Sequence, residues 1–291
     1  MSRFGRAVDK ADREGLLTWT QGGNRAARGA AVEELPTVAP VAYAEPASPS
    51  TEVDLWDDEG APGTHAAFNP VLVAATDPNS AAAEQFRLLR TRLEGHDNAR
   101  RTHLVLVSSP GVGDGKTTTS ANLALTMAQE FQHKVVLIEA DLRRPRLADL
   151  FGVRSEPGLM DVLAGAAPLD EAIITVPGSR LSILPAGLPG SRPGSLLTSS
   201  MMQRTLEALR SRFDRIVVDA APLLLADTHV LARLADGVLM VVRAGVTARP
   251  TLERALAGVE REKLVGFVLN GVDETPNPYY TPGVVSQGTG T

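Results

Sequence analysis

The stretch "SSPGVGDGKTTTSANLA", residues 108–124, decides the fold. It follows a short apolar run, "HLVLVSS" (103–109), and passes into "TTTSANLALTMAQEF" (117–131), whose Leu, Ala and Met content predicts a helix. A buried strand that opens through glycines into a helix is the setting of a phosphate-binding loop. Gly111, Gly113 and Gly115 let backbone amides approach an anion, and the N-terminus of the following helix adds its positive end. In such a loop Lys116 neutralises charge on the β- and γ-phosphates and the Thr117 hydroxyl ligates Mg²⁺. The expected ligand is therefore a nucleotide with Mg²⁺, cradled by Gly111, Val112, Gly113, Asp114, Gly115, Lys116, Thr117 and Thr118. The strict pattern wants a further glycine where this chain has Pro110. A glycine-rich turn with a chance Lys-Thr is the bland alternative, and strand, loop, "GKTT" and helix together outweigh it.

Outward from the loop, strand-like and helix-like segments alternate. "NSAAAEQFRLLRTRLEG" reads as a helix upstream, with a capping Asn/Ser and a closing glycine. Downstream, "KVVLIEA", "LSILPA", "RIVVDAAP", "GVLMVVRA" and "LVGFVLNGV" read as strands. The segments "MDVLAG", "SSMMQRTLEALRSRF", "DTHVLARLA" and "RPTLERALAGVERE" read as helices between them. These strands are nearly all apolar rather than alternating, which predicts burial on both faces. The expected fold is α/β: a mostly parallel central sheet flanked by helices, three layers deep, of the P-loop NTPase kind, over residues 79–272.

Carboxylates recur at the C-terminal ends of the predicted strands, where a ligand site of an open α/β sheet lies. Glu139 and Asp141 follow "KVVLI", and Asp219 follows "RIVV". Mg²⁺ keeps most of its waters, so Asp219 is expected as its second protein contact beside Thr117. Acids at strand ends also cap helices or form turns. Three around one phosphate loop favour the site.

The remaining sequence is less ordered in pattern. Hydrophobic residues make up 43% of the 291 and charged residues 22%, ordinary for a soluble globular protein. The absence of cysteine excludes disulfides, thiolate metal sites and cysteine nucleophiles. The longest apolar runs fall far short of the ~20 residues that cross a bilayer, and the expected location is cytoplasmic. Residues 1–28 carry six Lys/Arg against three acids, and a short helix there is either a frayed terminus or a docking peptide. Residues 29–78 read as a disordered linker: there is no Lys or Arg from 29 to 86, and residues 31–70 hold six prolines and eight acids. Residues 273–291 read as a flexible tail. Its "PNPYYTPG" (276–283) holds two of the chain's three tyrosines, Tyr279 and Tyr280, among residues that cannot extend a helix or a central strand.

The set "GDGKTTTSANLA", "VVLIEADLRRP", "FDRIVVDAAP" and the tail "PYY" resembles the bacterial tyrosine kinases of polysaccharide assembly, in the MinD/ParA-like branch of P-loop proteins. The resemblance extends to "EQFRLLRTRL", where Glu84, Arg87 and Arg90 match that family's ring-assembly motif, and to "LPAGLPGSRPGSLL" (184–197). It covers about residues 80–281. It implies transfer of the ATP γ-phosphoryl group to Tyr279 and Tyr280 on a neighbouring subunit's tail. Lys116 and the loop amides would hold the phosphates, Arg143 would steady them, and Asn270 would contact adenine. The second strand of the family usually ends Asp-x-Asp-x-Arg. Here Glu139 takes the first place, with Asp141 and Arg143 in the others, and the resemblance makes Glu139, with Asp141, the base toward the phenol. It also implies a homo-oligomeric ring and a separate membrane activator of the polysaccharide co-polymerase type. Further protein substrates and peripheral attachment to the inner face of the plasma membrane through that partner belong to the same expectation. Partition-type relatives carry a second lysine early in the loop. Gly111 stands there, and with no dense basic patch nucleic acid is not an expected partner. The alternative kept open is a P-loop ATPase switch that binds a membrane partner without phosphorylating anything.

Overall fold

The computed structural model describes residues 68–100, 102–129, 133–187 and 193–272. Its strands are β1 (Leu104–Ser108), β2 (Val135–Ala140), β3 (Ile174–Thr175), β4 (Leu181–Leu184), β5 (Arg215–Ala220), β6 (Gly237–Arg243) and β7 (Leu264–Asn270). Its helices are α1 (Val73–Thr76), α2 (Ala81–Arg100), α3 (Lys116–Ala128), α4 (Leu147–Phe151), α5 (Leu159–Leu163), α6 (Leu169–Ala172), α7 (Pro193–Leu197), α8 (Ser200–Arg210), α9 (Ala226–Leu234) and α10 (Arg249–Leu256). The strands form one sheet in the order β3-β4-β2-β5-β1-β6-β7. All pairs are parallel except β3 with β4. This is the α/β fold expected.

Alternate residues of the central strands feed two separate cores. Leu104, Leu106, Val136, Ile138, Ile216 and Val218 enter one, while Val105, Val107, Val135, Leu137 and Val217 enter the other. A strand covered on both faces favours apolar side chains at nearly every position, which is why these segments read as near-continuous apolar runs. β7 departs from the expectation. It lies at the sheet edge and is only partly covered, with Phe267 exposed.

The folded unit begins before the expected boundary at residue 79. Leu72, Ala74 and Ala75 are buried, and the Phe68 ring meets Phe151 edge-on with centroids 5.8 Å apart. Asn122, buried in α3, accepts from the Ala74 amide at 2.9 Å and donates to Val71 O at 2.9 Å. Gln129 donates to Ala74 O at 2.8 Å. Polar side chains of α3 and of its C-cap thus satisfy the backbone of a segment whose acidic, proline-rich neighbourhood masks it in the sequence. Residues 1–28, the linker up to 67 and the tail with Tyr279 and Tyr280 lie outside the described residues.

The register places the site. Val107 of β1 and Glu139 of β2 both pair with Asp219 of β5, so the carboxyl ends of the three strands form one edge beneath the loop that follows β1.

Candidate active site

The loop between β1 and α3 is held from below and from the side. Ser108 donates to Ala221 O at 2.7 Å, tying the end of β1 to the end of β5. Ser109 donates to Gly111 O at 2.6 Å, and the Gly111 amide donates to Asp114 Oδ2 at 2.8 Å. The positive-φ positions are Gly113 (φ 85) and Gly115 (φ 97), so buried Pro110 sits where no glycine freedom is needed. A Cβ on Gly115 would come within 1.9 Å of Asn270 Nδ2. Gly115 is the N-cap of α3 and offers no side chain, so the first-turn amides of that helix have no side-chain cap. Val112, at the loop tip, is 60% exposed. Such a loop presents amides and a helix N-terminus to a polyphosphate.

Three carboxylates stand behind it, and each has a different environment. Asp141 Oδ2 lies 2.8 Å from Lys116 Nζ, with both side chains almost fully buried. Asp219 is 1% exposed, and neither of its oxygens has a hydrogen-bond partner. Burial pushes its carboxyl up to about 7. The charge of Lys116 and the nearby Thr117 hydroxyl oppose that rise, and the charges of Glu139 and Asp141 reinforce it. A buried acid left without donors beside a hydroxyl at a phosphate loop fits a hydrated divalent cation, with Thr117 and Asp219 as the protein contacts. No cluster of three or more His, Cys, Asp or Glu side chains suited to chelation exists among the described residues. Magnesium bound mainly through water and phosphate requires none.

Glu139 is placed against expectation. Its Oε1 accepts from the amides of Arg146 and, at 2.7 Å, Leu147, at the start of α4. Its Oε2 accepts from the Ala186 amide at 3.1 Å, beyond the end of β4. It is 1% exposed. Burial raises its carboxyl, the three amides pull it back, and Asp141 adds to the rise. All three of its contacts are to backbone amides, at the start of α4 and in the segment after β4.

The other expected residues divide. Asn270 is brought to the loop, where its amide donates to Asp114 O at 2.9 Å. Arg143 is mostly exposed and pairs with Asp227 at 3.3 Å, not with the loop. On α2, Arg87 binds Glu84 at 2.5 Å and Pro78 O at 2.8 Å, while Arg90 donates to Thr126 O at 3.1 Å on α3. Thr247 and Arg243 also contact the loop: Thr247 donates to Asp114 Oδ1 at 2.9 Å and Arg243 to Gly113 O at 3.3 Å. Nothing in "VRAGVTARP" marks them from sequence, since both contacts span some 130 residues.

The fold and this loop define a P-loop nucleotide-binding protein. A family model described as an AAA domain matches residues 104–263. The tyrosine-protein kinase YwqD of Bacillus subtilis is 32% identical over 203 residues, covering 69% of this chain and 85% of that one. The tyrosine-protein kinase CpsD of Streptococcus agalactiae serotype III is 32% identical over 200 residues, covering 67% and 85%. Among solved structures, the kinase domain of the Escherichia coli tyrosine kinase ETK is 30% identical with a TM-score of 0.67, covering 73% of this chain and 84% of that one. The chain belongs to the bacterial tyrosine-protein kinases, and its chemistry is phosphoryl transfer to tyrosine.

Proposed function

We propose that this protein is an Mg·ATP-dependent autokinase that phosphorylates Tyr279 and Tyr280 on the tail of a neighbouring copy, and so regulates synthesis or export of an extracellular polysaccharide. The observation that carries the nucleotide site is the buried, partnerless Asp219 beside Lys116 and Thr117 at the uncapped start of α3. Loop amides and Lys116 hold the β- and γ-phosphates. Magnesium, held by Thr117 and Asp219, supplies charge neutralisation between the phosphates when bound. Lys116, drawn to the phosphates, leaves Asp141, which takes the proton in place of the engaged Glu139. The phenol oxygen bonds to the γ-phosphorus, the bond to the ADP oxygen breaks, and the phenol proton passes to Asp141.

Asn270 supports the loop and borders the base. Glu84, Arg87 and Arg90 bridge copies in a ring, and a separate membrane protein activates the kinase and holds it at the inner face of the membrane. Among the described residues no helix is long and apolar enough to cross a bilayer. Each phosphate adds about −1.5 to −2 charges, and several at one interface loosen the ring.

The test mixes two inactive halves with Mg·ATP. One chain carries Lys116→Met with intact tyrosines; the other carries Tyr279→Phe and Tyr280→Phe with an intact site. Phosphotyrosine on the Lys116→Met chain is the expected result. Phosphorylation only in wild type would replace transfer between copies with transfer within one, and none in wild type, with or without the activator, would remove the kinase reading.

A further inference from the structure

We infer that Thr247 is a positioning residue for the phosphate loop, acting through Asp114. The inference rests on the nucleotide-binding reading above and adds a residue to it. Asp114 is buried, and its carboxylate accepts twice: from the Gly111 amide into Oδ2 at 2.8 Å and from the Thr247 hydroxyl into Oδ1 at 2.9 Å. The direction of the second bond is fixed by the neighbours. The Arg243 amide already donates into Thr247 Oγ1 at 3.0 Å. A hydroxyl has one proton, and a carboxylate only accepts, so the Thr247 proton is committed to Asp114.

The turn after β6 is itself closed by the Thr247 amide donating to Arg243 O at 3.0 Å. From that turn the Arg243 side chain reaches Gly113 O at 3.3 Å, and from β7 Asn270 reaches Asp114 O at 2.9 Å. Residues 111–114 are thus bound to the β6–α10 turn and the end of β7, on the flank opposite Asp141 and Asp219. The loop amides that meet phosphate belong to this stretch. Its shape must be the same before transfer and during it. Loss of the clamp therefore weakens ground state and transition state together, which appears in KM and not in kcat.

Thr247→Val keeps the volume and removes the donor, leaving Asp114 Oδ1 and the Arg243 amide without partners. The expected result is an affinity for Mg·ADP, by calorimetry, and a KM for Mg·ATP each about tenfold weaker, with kcat within about twofold of wild type. Thr247→Ser restores both to within about twofold. In the double variant Asp114→Ala, Thr247→Val, the second change costs less than it does alone, because the Thr247–Asp114 bond is already gone and only the acceptor of the Arg243 amide remains to be lost. Wild-type affinity in Thr247→Val, additive losses in the double variant, or a drop in kcat and melting temperature that serine does not rescue would each overturn the clamp. If wild type lacks tyrosine phosphorylation the kinase reading fails, while Mg·ADP affinity still decides the role of Thr247.

Discussion

Lys116 and Asp141 form a buried ion pair across the nucleotide site, Nζ to Oδ2 at 2.8 Å. The lysine of the phosphate loop is therefore paired with an internal anion. On the mechanism proposed above, polyphosphate takes the place of Asp141 as the partner of Lys116 and leaves that carboxylate to accept the phenol proton.

This exchange predicts how Asp141→Asn behaves. Without nucleotide the buried ammonium loses its counter-charge, which costs about 3 kcal/mol when one member of such a pair is removed. Mg·ADP resupplies the charge, so its stabilisation of the variant, read by thermal unfolding, exceeds its stabilisation of wild type. Autophosphorylation falls by at least about 100-fold, the usual loss when a general base is removed. Equal nucleotide-induced shifts in variant and wild type would show that the pair does not exchange.

Asp219 works against the fold to serve the site. Its carboxyl, raised by burial to about 7 from 3.8, keeps a proton in the folded state that the unfolded chain has already lost. Stability measured without nucleotide therefore declines as pH rises from about 4 to about 7, and above that the buried charge is offset only in part, by Lys116 and the Thr117 hydroxyl. Asp219→Asn removes this slope. It melts higher than wild type at pH 8, with little difference at pH 5, while Mg²⁺-dependent turnover falls sharply if Asp219 is the metal contact proposed above. A parallel pH profile of melting temperature in both proteins would contradict the assignment.

For Glu139 the structure and the family pattern predict opposite outcomes. As a holder of the Arg146, Leu147 and Ala186 amides, it resists change to Gln, which turns an NH₂ toward a donor and leaves a buried amide unsatisfied. The expected cost is about 1–3 kcal/mol of stability, with kcat at saturating Mg·ATP reduced only modestly. Glu139→Asp, which restores the family's usual residue, loses reach and is destabilised as well. Unchanged stability together with loss of turnover would return Glu139 to the role of base.

The parts legible in sequence are those set by local chemistry. Glycines before Gly-Lys-Thr, a strand behind and a helix ahead specify the loop within seventeen residues, and Asp219 is found because a strand's end is readable from its apolar run. Glu139 is legible as a strand-end acid, but its role is not, because one of its three donors, Ala186, lies 47 residues away. The same holds for Thr247 and Asp114, 133 apart. Residues 68–78 escape for a different reason: their backbone is satisfied by Asn122 and Gln129, so no periodic pattern of their own is required. β3 has two residues and is too short for any period to appear.

Arg87 and Arg90 offer the test of the proposed ring. Within one copy they are already engaged, Arg87 with Glu84 and Pro78 O, Arg90 with Thr126 O and with Glu94 at 3.6 Å. The two pairs along the helix face, Arg87 with Glu84 and Arg90 with Glu94, contribute only about 0.2–0.5 kcal/mol each. If Glu84, Arg87 and Arg90 instead bridge copies, Arg87→Ala with Arg90→Ala lowers the oligomer's mass on light scattering. It reduces tail phosphorylation at dilute protein by about tenfold or more, as expected when transfer depends on a neighbour held at high local concentration. Affinity for Mg·ADP stays at the wild-type value, because neither arginine touches the loop. Raising the protein concentration then recovers part of the phosphorylation. Unchanged mass, or a loss that concentration does not relieve, would confine these arginines to packing α2 on α3.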